Sequence, residues 1–152
     1  MVKKCAVCQK ELSSGMIVHP ECLKPKKALS TDKRFIYICS PVRSDPVNNI
    51  EKARGYCKWV MDKGYIPIAP HVMFDDMLHD DIPDERLKAL EIGLQLLRMC
   101  DELWYFGTTI SEGMRNEIEH AESIGISISH VIYMQIQAEG VEGTDPWIQA
   151  LR

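Results

Sequence analysis

The segment from Leu103 to Ala121 holds residues whose types and order can support chemistry. It begins with an apolar and aromatic run, 103–106, that is typical of a buried strand, and Gly107 ends this run. Ser111 then supplies a good N-cap for a helix. A strand that leads through a polar turn into a helix N-terminus brings free backbone N–H groups and the positive end of the helix dipole to one place, which favours an anion.

Glu117 lies about one and a half to two turns inside this predicted helix. From there a carboxylate can face back into the crevice that holds the anion. The alternative is an ordinary strand–helix unit with an exposed Glu, because most turns of this kind bind no ligand.

Length and composition set the general class of the protein. The chain has 152 residues, 45% of them hydrophobic and 26% charged, which fits one soluble domain with a sizeable core and a small appendage. The net charge of −4 and the lack of a long basic stripe argue against extended binding along a nucleic-acid backbone. We expect no membrane segment and no signal peptide, because no apolar run approaches the ~20 residues that a membrane helix needs.

The six cysteines fall into two groups. Cys39, Cys57 and Cys100 are scattered through apolar segments, which favours reduced, buried thiols and a cytoplasmic location. The other three cysteines and His19 form two ligand pairs, and two residues separate the members of each pair. Four such ligands can lie in a tetrahedron around Zn²⁺. These predicted ligands are Cys5, Cys8, His19 and Cys22.

We expect this zinc to be structural, since four protein ligands leave no open position for catalysis. A segment so short and so poor in large hydrophobic residues could hardly order itself without a metal. Unrelated thiols are the alternative. The zinc segment could also dock a nucleic acid or a protein.

The rest of the chain alternates predicted strands with predicted helices. Pro67 in the second strand suggests an edge position, where a missing N–H is tolerated. The alternation predicts an α/β fold, a doubly wound parallel sheet of four to five strands that is flavodoxin-like or Rossmann-like, preceded by a small zinc-binding segment. The predicted strands are 35–39, 65–69, 103–106 and 126–134, and the predicted helices start near Ile50, Pro83 and Ser111. The predicted boundaries are 1–24 for the zinc segment, 25–34 for a linker, 35–134 for the α/β domain and 135–152 for a tail with a short helix near Pro146.

Ligands of such sheets bind outside the carboxyl ends of the strands, where the strand order reverses. Topology therefore brings Ser40, Arg43, Ser111 and Glu117 around one crevice. The acidic loop 70–84 joins them with Asp75 and Asp76. This loop could hold Mg²⁺ or contact sugar hydroxyls, or it could be a solvated acidic loop.

Residues 35–134 resemble the nucleoside 2-deoxyribosyltransferase-like group, which includes the deoxynucleoside 5′-monophosphate N-glycosidases. They look most like its DUF4406 domains from phages and bacteria. The motifs that carry the resemblance are Tyr37-Ile-Cys-Ser-Pro41, Asp101-Glu-Leu-Trp-Tyr-Phe-Gly107 and Ser111-Glu-Gly-Met-Arg-Asn-Glu117-Ile-Glu-His-Ala121.

The resemblance implies a role for several residues. Glu117 would be the nucleophile that attacks the anomeric carbon of the deoxyribose, and Ser111, Ser40 and Arg43 would bind a 5′-phosphate. The full set of ligand-binding residues is then Ser40, Pro41, Arg43, Asp75, Gly107, Ser111 and Gly113.

The sequence departs from the family pattern at the second acid. The family usually has an Asp eight positions before its closing acidic or polar residue, and counting back from Asp101 gives Gly93. Glu91 and Asp76 are the acids that could take its place, so they join Glu117 as candidate catalytic residues. There are two further departures: Glu119 stands where the family often has Gly, and Glu112 adds negative charge beside the proposed phosphate site.

Two functions follow from these residues. The first is an enzyme that cleaves or transfers at the N-glycosidic bond of a nucleoside, or of its 5′-monophosphate, through a Glu nucleophile. The second is a non-catalytic nucleotide-binding or sensing protein that docks through its zinc segment. Either function needs a small nucleoside or nucleotide as partner and no organic cofactor, and the resemblance implies a homo-oligomer.

Overall fold

The computed structural model describes residues 33–132 together with Glu11. The chain divides into two compact units, Met1–Asp32 and Lys33–Arg152, and the fold given below is that of the second. The predicted helix near Pro146 lies outside the described residues and stays a prediction. The same holds for the predicted zinc ligands, Cys5, Cys8, His19 and Cys22.

Strands and helices alternate along the described residues. The order is β1 (Phe35–Cys39), α1 (Pro46–Asp62), β2 (Ile66–Ile68), α2 (Pro70–Met73), α3 (Pro83–Leu97), β3 (Glu102–Phe106), α4 (Glu112–Ser123) and β4 (Ser127–Val131). Each strand agrees with its predicted range to within a few residues at either end. None of these helices is long and apolar enough to cross a membrane.

The four strands form one parallel sheet in the order β2-β1-β3-β4. The chain leaves β1 toward one edge to make β2, and then returns across β1 to make β3 on the other side. Tyr37 in β1 therefore pairs with both Ile68 and Leu103. The strand order reverses between β1 and β3, so the crevice expected in a doubly wound sheet lies at their carboxyl ends. The predicted α/β fold is confirmed.

Pro67 lies on an edge strand of the described sheet, as predicted, because within residues 33–132 β2 pairs with β1 alone. The N–H of Ile66 donates to the Arg34 carbonyl at the β1 side, at 3.0 Å. Successive residues of a strand alternate the direction of their N–H groups. The nitrogen of Pro67 therefore points away from β1, where its missing N–H disrupts no hydrogen bond of the sheet.

Helices cover both faces of the sheet. On one face, α1 packs on Ile36, Ile38 and Phe106, and the ring of Tyr56 stacks on that of Phe106 with centroids 4.2 Å apart. On the other face, α3 and α4 bury apolar side chains against β1 and β3. The buried residues there are Tyr37, Cys39, Leu97, Cys100, Leu103, Met114 and Ala121. Alternation along β1 thus directs even-numbered residues toward α1 and odd-numbered residues toward α3 and α4.

Helix α1 begins at Pro46, four residues before the predicted start at Ile50. Proline suits the first turn of a helix because its missing N–H would have no partner there. Asp45 caps this turn through its carbonyl, which accepts the N–H of Asn49 at 2.8 Å. The first turn is exposed, with Val47 in solvent. The apolar periodicity consequently starts only at Ile50, which explains the late prediction.

Candidate active site

Helix α4 presents Glu117 to the sheet. Ser111 caps the helix as predicted, since its Oγ accepts the N–H of Met114 at 3.3 Å. Met114 and Ala121 are buried against the sheet. Glu117 lies three positions after the first and four before the second, so it occupies the same helix face. Its side chain is partly buried.

Two side chains of β1 meet the Glu117 carboxyl group. The hydroxyl of Tyr37 donates to Glu117 Oε1 at 2.9 Å. The Cys39 thiol lies beside the same carboxyl and donates a hydrogen bond to the carbonyl oxygen of Met114 at 3.8 Å. The sequence indicates Tyr37 only as part of a motif and does not predict its contact with Glu117. Tyr37 and Glu117 are 80 residues apart, so local spacing gives no sign of the contact.

Burial controls the protonation of this group of side chains. It raises the pKa of Glu117 to about 7, although the neighbouring Cys39 and the hydrogen bond from Tyr37 act to lower it. Burial also raises the pKa of Tyr37 and of Cys39 well above their usual ranges, and the neighbouring Glu117 charge adds to both shifts. Tyr37 and Cys39 therefore stay protonated near neutral pH, while Glu117 exchanges a proton there.

Gly93, where the deoxyribosyltransferase-like group that the sequence resembles usually has an Asp, faces the same place from α3. A Cβ atom built on Gly93 would lie 3.3 Å from Tyr37 Oη and 3.9 Å from Pro70. This approach is tighter than most real contacts, so a side chain at 93 would force the tyrosine hydroxyl to move. The glycine allows the tyrosine to reach between α3 and α4. The departure from the family pattern thus has a steric explanation in this chain.

The acids considered as replacements lie elsewhere. Glu91 is on the exposed side of α3, two positions before Gly93 and thus on nearly the opposite side of the helix. Asp76 is exposed in the turn after α2, and Asp75 pairs with Arg54 at 3.4 Å. No group of three or more His, Cys, Asp or Glu residues within 33–132 gathers in a way that could hold a metal ion.

A cavity of about 260 Å³ opens at the carboxyl ends of β1 and β3, on the α1 side of the sheet. Its position agrees with the predicted crevice at the reversal of strand order. Ser40, Pro41 and Gly107 were predicted as ligand-binding residues, and all three line it. Among the described residues, the lining consists of Ser40, Pro41, Ser44, Asn49, Lys52, Tyr56, Gly107, Thr108 and Thr109.

Ser40 lines the cavity and forms a hydrogen bond with a side chain of α2. It is 6% exposed, and its Oγ shares a hydrogen bond with His71 Nε2 at 3.0 Å. His71 follows β2 in helix α2, and burial lowers its pKa to about 4. The imidazole is therefore neutral near pH 7 and offers Ser40 one donor or one acceptor. The sequence showed His71 only as one member of a polar loop.

The cation of the cavity differs from the predicted one. Arg43 is 60% exposed and its Nε pairs with Asp80 at 2.8 Å. Lys52, from α1, lines the cavity instead. Asn49, Lys52 and Tyr56 follow each other at helical spacing of three and four residues, and this stripe beside the buried face was the signal that sequence reasoning missed.

Four of the predicted site residues thus form two groups, one on each side of the sheet. Ser40, Pro41 and Gly107 share the cavity on the α1 side, whereas Glu117 meets β1 on the side of α3 and α4. The groups adjoin at β1, because Glu117 contacts Cys39 and the next residue is Ser40. Ser111 and Gly113 are exposed at the start of α4 and do not line the cavity.

Comparison with known proteins supports the fold and assigns a family. A solved structure, that of a 2-deoxyribosyltransferase from the psychrotolerant bacterium Bacillus psychrosaccharolyticus, is similar, with a TM-score of 0.51 and 16% identity over 64% of this chain and 72% of that chain. At this identity the likeness shows the fold alone. No curated protein matches the chain. The likeness to DUF4406 domains stays a prediction. Residues 34–135 match the family described as Domain of unknown function (DUF7768), and the chain belongs to that family.

Proposed function

We propose that this protein cleaves or transfers at the N-glycosidic bond of a deoxynucleoside or its 5′-monophosphate, with Glu117 as nucleophile. The observation that supports the proposal is the placement of Glu117, which Tyr37 and Cys39 orient beside the carboxyl end of β1. The solved 2-deoxyribosyltransferase with the same type of fold is consistent with a nucleoside substrate. A carboxylate held by the Tyr37 hydroxyl has a restricted direction, which attack on one carbon atom requires.

The reaction needs two displacements at the same carbon. In the first, a Glu117 oxygen bonds to the anomeric carbon, the bond from that carbon to the base nitrogen breaks, and its electron pair leaves with the base. In the second, water or another base attacks the anomeric carbon and frees the carboxylate. Water gives hydrolysis, and a second base gives transfer.

Protonation of Glu117 sets the pH range of this chemistry. Only the carboxylate can attack, and burial raises its pKa to about 7. Activity should therefore increase as the pH rises through about 7. The departing base also needs a proton. Tyr37 is a poor source, because its pKa is raised and it already donates to Glu117. We expect solvent to supply this proton.

The test is the release of free base from deoxynucleosides and their monophosphates, followed by chromatography. Glu117→Ala should reduce the rate by about 10⁴-fold or more, as expected for removal of a nucleophile. Glu119→Gln is the matched control, because Glu119 is exposed on the same helix. Equal rates for wild type and Glu117→Ala would refute the proposed mechanism.

A second candidate is a nucleotide-binding or sensing protein without turnover. The observation that favours it is the absence of a second acid beside Glu117 among the described residues, with Gly93 in place of the family Asp. The predicted zinc segment, by its ligand spacing, would then act as the docking element. Thermal stabilisation by a deoxynucleoside monophosphate, with no base released after prolonged incubation, would select this candidate.

A further inference from the structure

The turn after β3 forms one wall of the cavity. Gly107, Thr108 and Thr109 all line the cavity, and the two threonines are exposed. The turn starts at Gly107, whose φ of +97° is a left-handed conformation that side chains disfavour. An exposed turn keeps one conformation only if other residues hold it, because fixing the backbone costs conformational entropy. The neighbouring strand β4 supplies the contacts that do so.

The last two residues of β4 hold both backbone polar groups of Gly107. Its N–H donates to the Val131 carbonyl at 3.4 Å, which is long for a hydrogen bond. Its carbonyl accepts a hydrogen bond from His130 Nε2 at 2.7 Å. Because a carbonyl can only accept, Nε2 is the ring nitrogen that carries the proton. The contact from His130 is therefore the shorter and stronger of the two.

The imidazole of His130 is itself held in one orientation. Its ring stacks on the ring of Tyr105, with centroids 4.3 Å apart and planes inclined by 5°. The two residues are paired in β3 and β4, so their side chains point to the same face of the sheet. His130 is exposed and belongs to neither core cluster. Its place is thus determined by the contacts with Tyr105 and Gly107 rather than by the core.

The direction of the Gly107 carbonyl determines the direction of the next N–H. Among the described residues no peptide bond is cis, and in a trans peptide the carbonyl and the N–H point in opposite directions. The carbonyl points to His130 in β4, and β3 lies between β4 and β1. The N–H of Thr108 consequently points away from β4, toward β1 and the cavity. Within residues 33–132 this N–H donates to no protein group.

We infer that His130 is a positioning residue, which fixes the Gly107–Thr108 peptide so that the N–H of Thr108 can donate to a molecule bound in the cavity. The inference rests on the proposed function, which supplies the molecules used to test it. His130 acts through the backbone of Gly107 and is not among the residues that line the cavity. A donor that is already oriented needs no ordering when the molecule binds, so binding is tighter.

Backbone NMR of the full-length chain measures the order of the turn. His130→Phe keeps a ring that can stack on Tyr105 but removes the donor. It should lower the nitrogen-15 order parameter of the Thr108 amide from about 0.85, typical of rigid backbone, toward about 0.6. It should also speed hydrogen exchange of the Gly107 amide by roughly 2- to 12-fold, as expected for the loss of one hydrogen bond. His130→Gln retains an N–H donor and should restore part of both values.

Binding and kinetics measure the effect on the cavity. The probes are deoxynucleosides and their 5′-monophosphates, titrated by calorimetry in the Glu117→Gln background so that no turnover occurs. His130→Phe should weaken the best probe by roughly 2- to 12-fold, and His130→Gln should recover part of this loss. The same probe should shift the Thr108 amide signal. With Glu117 intact, His130→Phe should raise KM for base release and leave kcat within about twofold, because the lost contact is uniform binding.

A neighbouring residue of β4 provides the matched control. Ser129 precedes His130, is exposed, and points to the opposite face of the sheet. Ser129→Ala should therefore leave the order of the turn and the affinity for the probe unchanged. Chemical denaturation of each variant shows whether the fold is retained, and His130→Leu replaces His130→Phe if the latter fails to fold.

The outcomes separate this inference from the proposed reaction. The inference is wrong if no probe binds, if His130→Phe leaves the order of Thr108 unchanged, or if His130→Gln recovers nothing. A fall in kcat at constant KM would also refute it, because His130 would then act at the reacting atoms. If a probe binds and His130→Phe weakens it, but wild type releases no base, the inference stands and the reaction fails. If wild type releases base and His130→Phe has the same KM, the reaction stands and the inference fails.

Discussion

On the side of α3 and α4, β1 contributes Tyr37 and Cys39 to a close-packed contact with Glu117, whereas on the α1 side Ser40 opens into a cavity with Lys52. The first region is largely buried and holds an acid that exchanges its proton near neutral pH. The second is open to solvent and holds a cation and hydroxyls. The difference shows that the alternation of a strand can direct consecutive residues, here Cys39 and Ser40, into two chemically distinct surroundings.

Both faces of the sheet should be close-packed to the same degree. Phe106 on the α1 side and Leu103 on the opposite side are both fully buried in β3. Phe106→Ala should lower the free energy of unfolding by about 3–5 kcal/mol and Leu103→Ala by about 2–5 kcal/mol. Chemical denaturation measures both. A loss below about 1 kcal/mol at either residue would show that one face is not close-packed.

The regions should also differ in how pH affects stability. Burial raises the pKa of Glu117 from 4.5 to about 7, so the folded state binds more protons than the unfolded state between these values. Stability must then fall as the pH rises through this window. Glu117→Gln removes this penalty, and above pH 8 it should be more stable than wild type by on the order of 2–3 kcal/mol.

Denaturation at pH 4 and pH 8 checks this prediction. The two proteins should differ little at pH 4, where Glu117 is protonated in both the folded and the unfolded state. Lys52→Met, from the other region, should show no such pH dependence relative to wild type. A constant difference between Glu117→Gln and wild type at both pH values would mean that Glu117 is solvated in the folded protein.

The hydrogen bond from Tyr37 lowers the pKa of Glu117. It stabilises the charged form of Glu117, so Tyr37→Phe should raise the pKa of Glu117 by roughly one unit. Carbon-13 NMR of carboxyl-labelled glutamate, assigned with Glu117→Gln, measures the shift. Tyr65→Phe is the control, because Tyr65 packs on the α1 side. An unchanged or lowered pKa would show that the hydroxyl does not stabilise the carboxylate.

Substitution of Ser111 should have the smallest effect on stability, and it tests the helix cap separately from ligand binding. Its Oγ caps α4 and it does not line the cavity. Ser111→Ala should therefore cost about 1 kcal/mol of stability, as for other N-caps, and leave monophosphate affinity unchanged. Thermal unfolding and calorimetry give the two values. A tenfold loss of affinity would place Ser111 on the ligand, as the family resemblance implies.

The sequence alone was sufficient for the fold. The β-branched and aromatic runs at 35–39 and 103–106, the proline in the edge strand and the capping serine of α4 each have a local cause, so each could be predicted. The short helix α2 was missed inside a predicted loop. Four residues are too few for a periodic pattern to appear.

The site was predictable only in part. Ser40 and Gly107 follow strands whose carboxyl ends share one edge, so topology places them together. The contact of Tyr37 with Glu117 depends on the close approach of Gly93, which no local pattern reports. Arg43 was favoured as the cation by its loop position, but the structure pairs it with Asp80 from a distant turn. Long-range pairing of this kind is decided by packing.

The proline of the edge strand affects how this protein can associate. The nitrogen of Pro67 points outward from the sheet, so the free margin of β2 lacks a donor at its middle residue. A strand from another chain that tried to extend the sheet there would find an incomplete ladder, only three residues long. Extension of the sheet by another chain is therefore disfavoured at this margin.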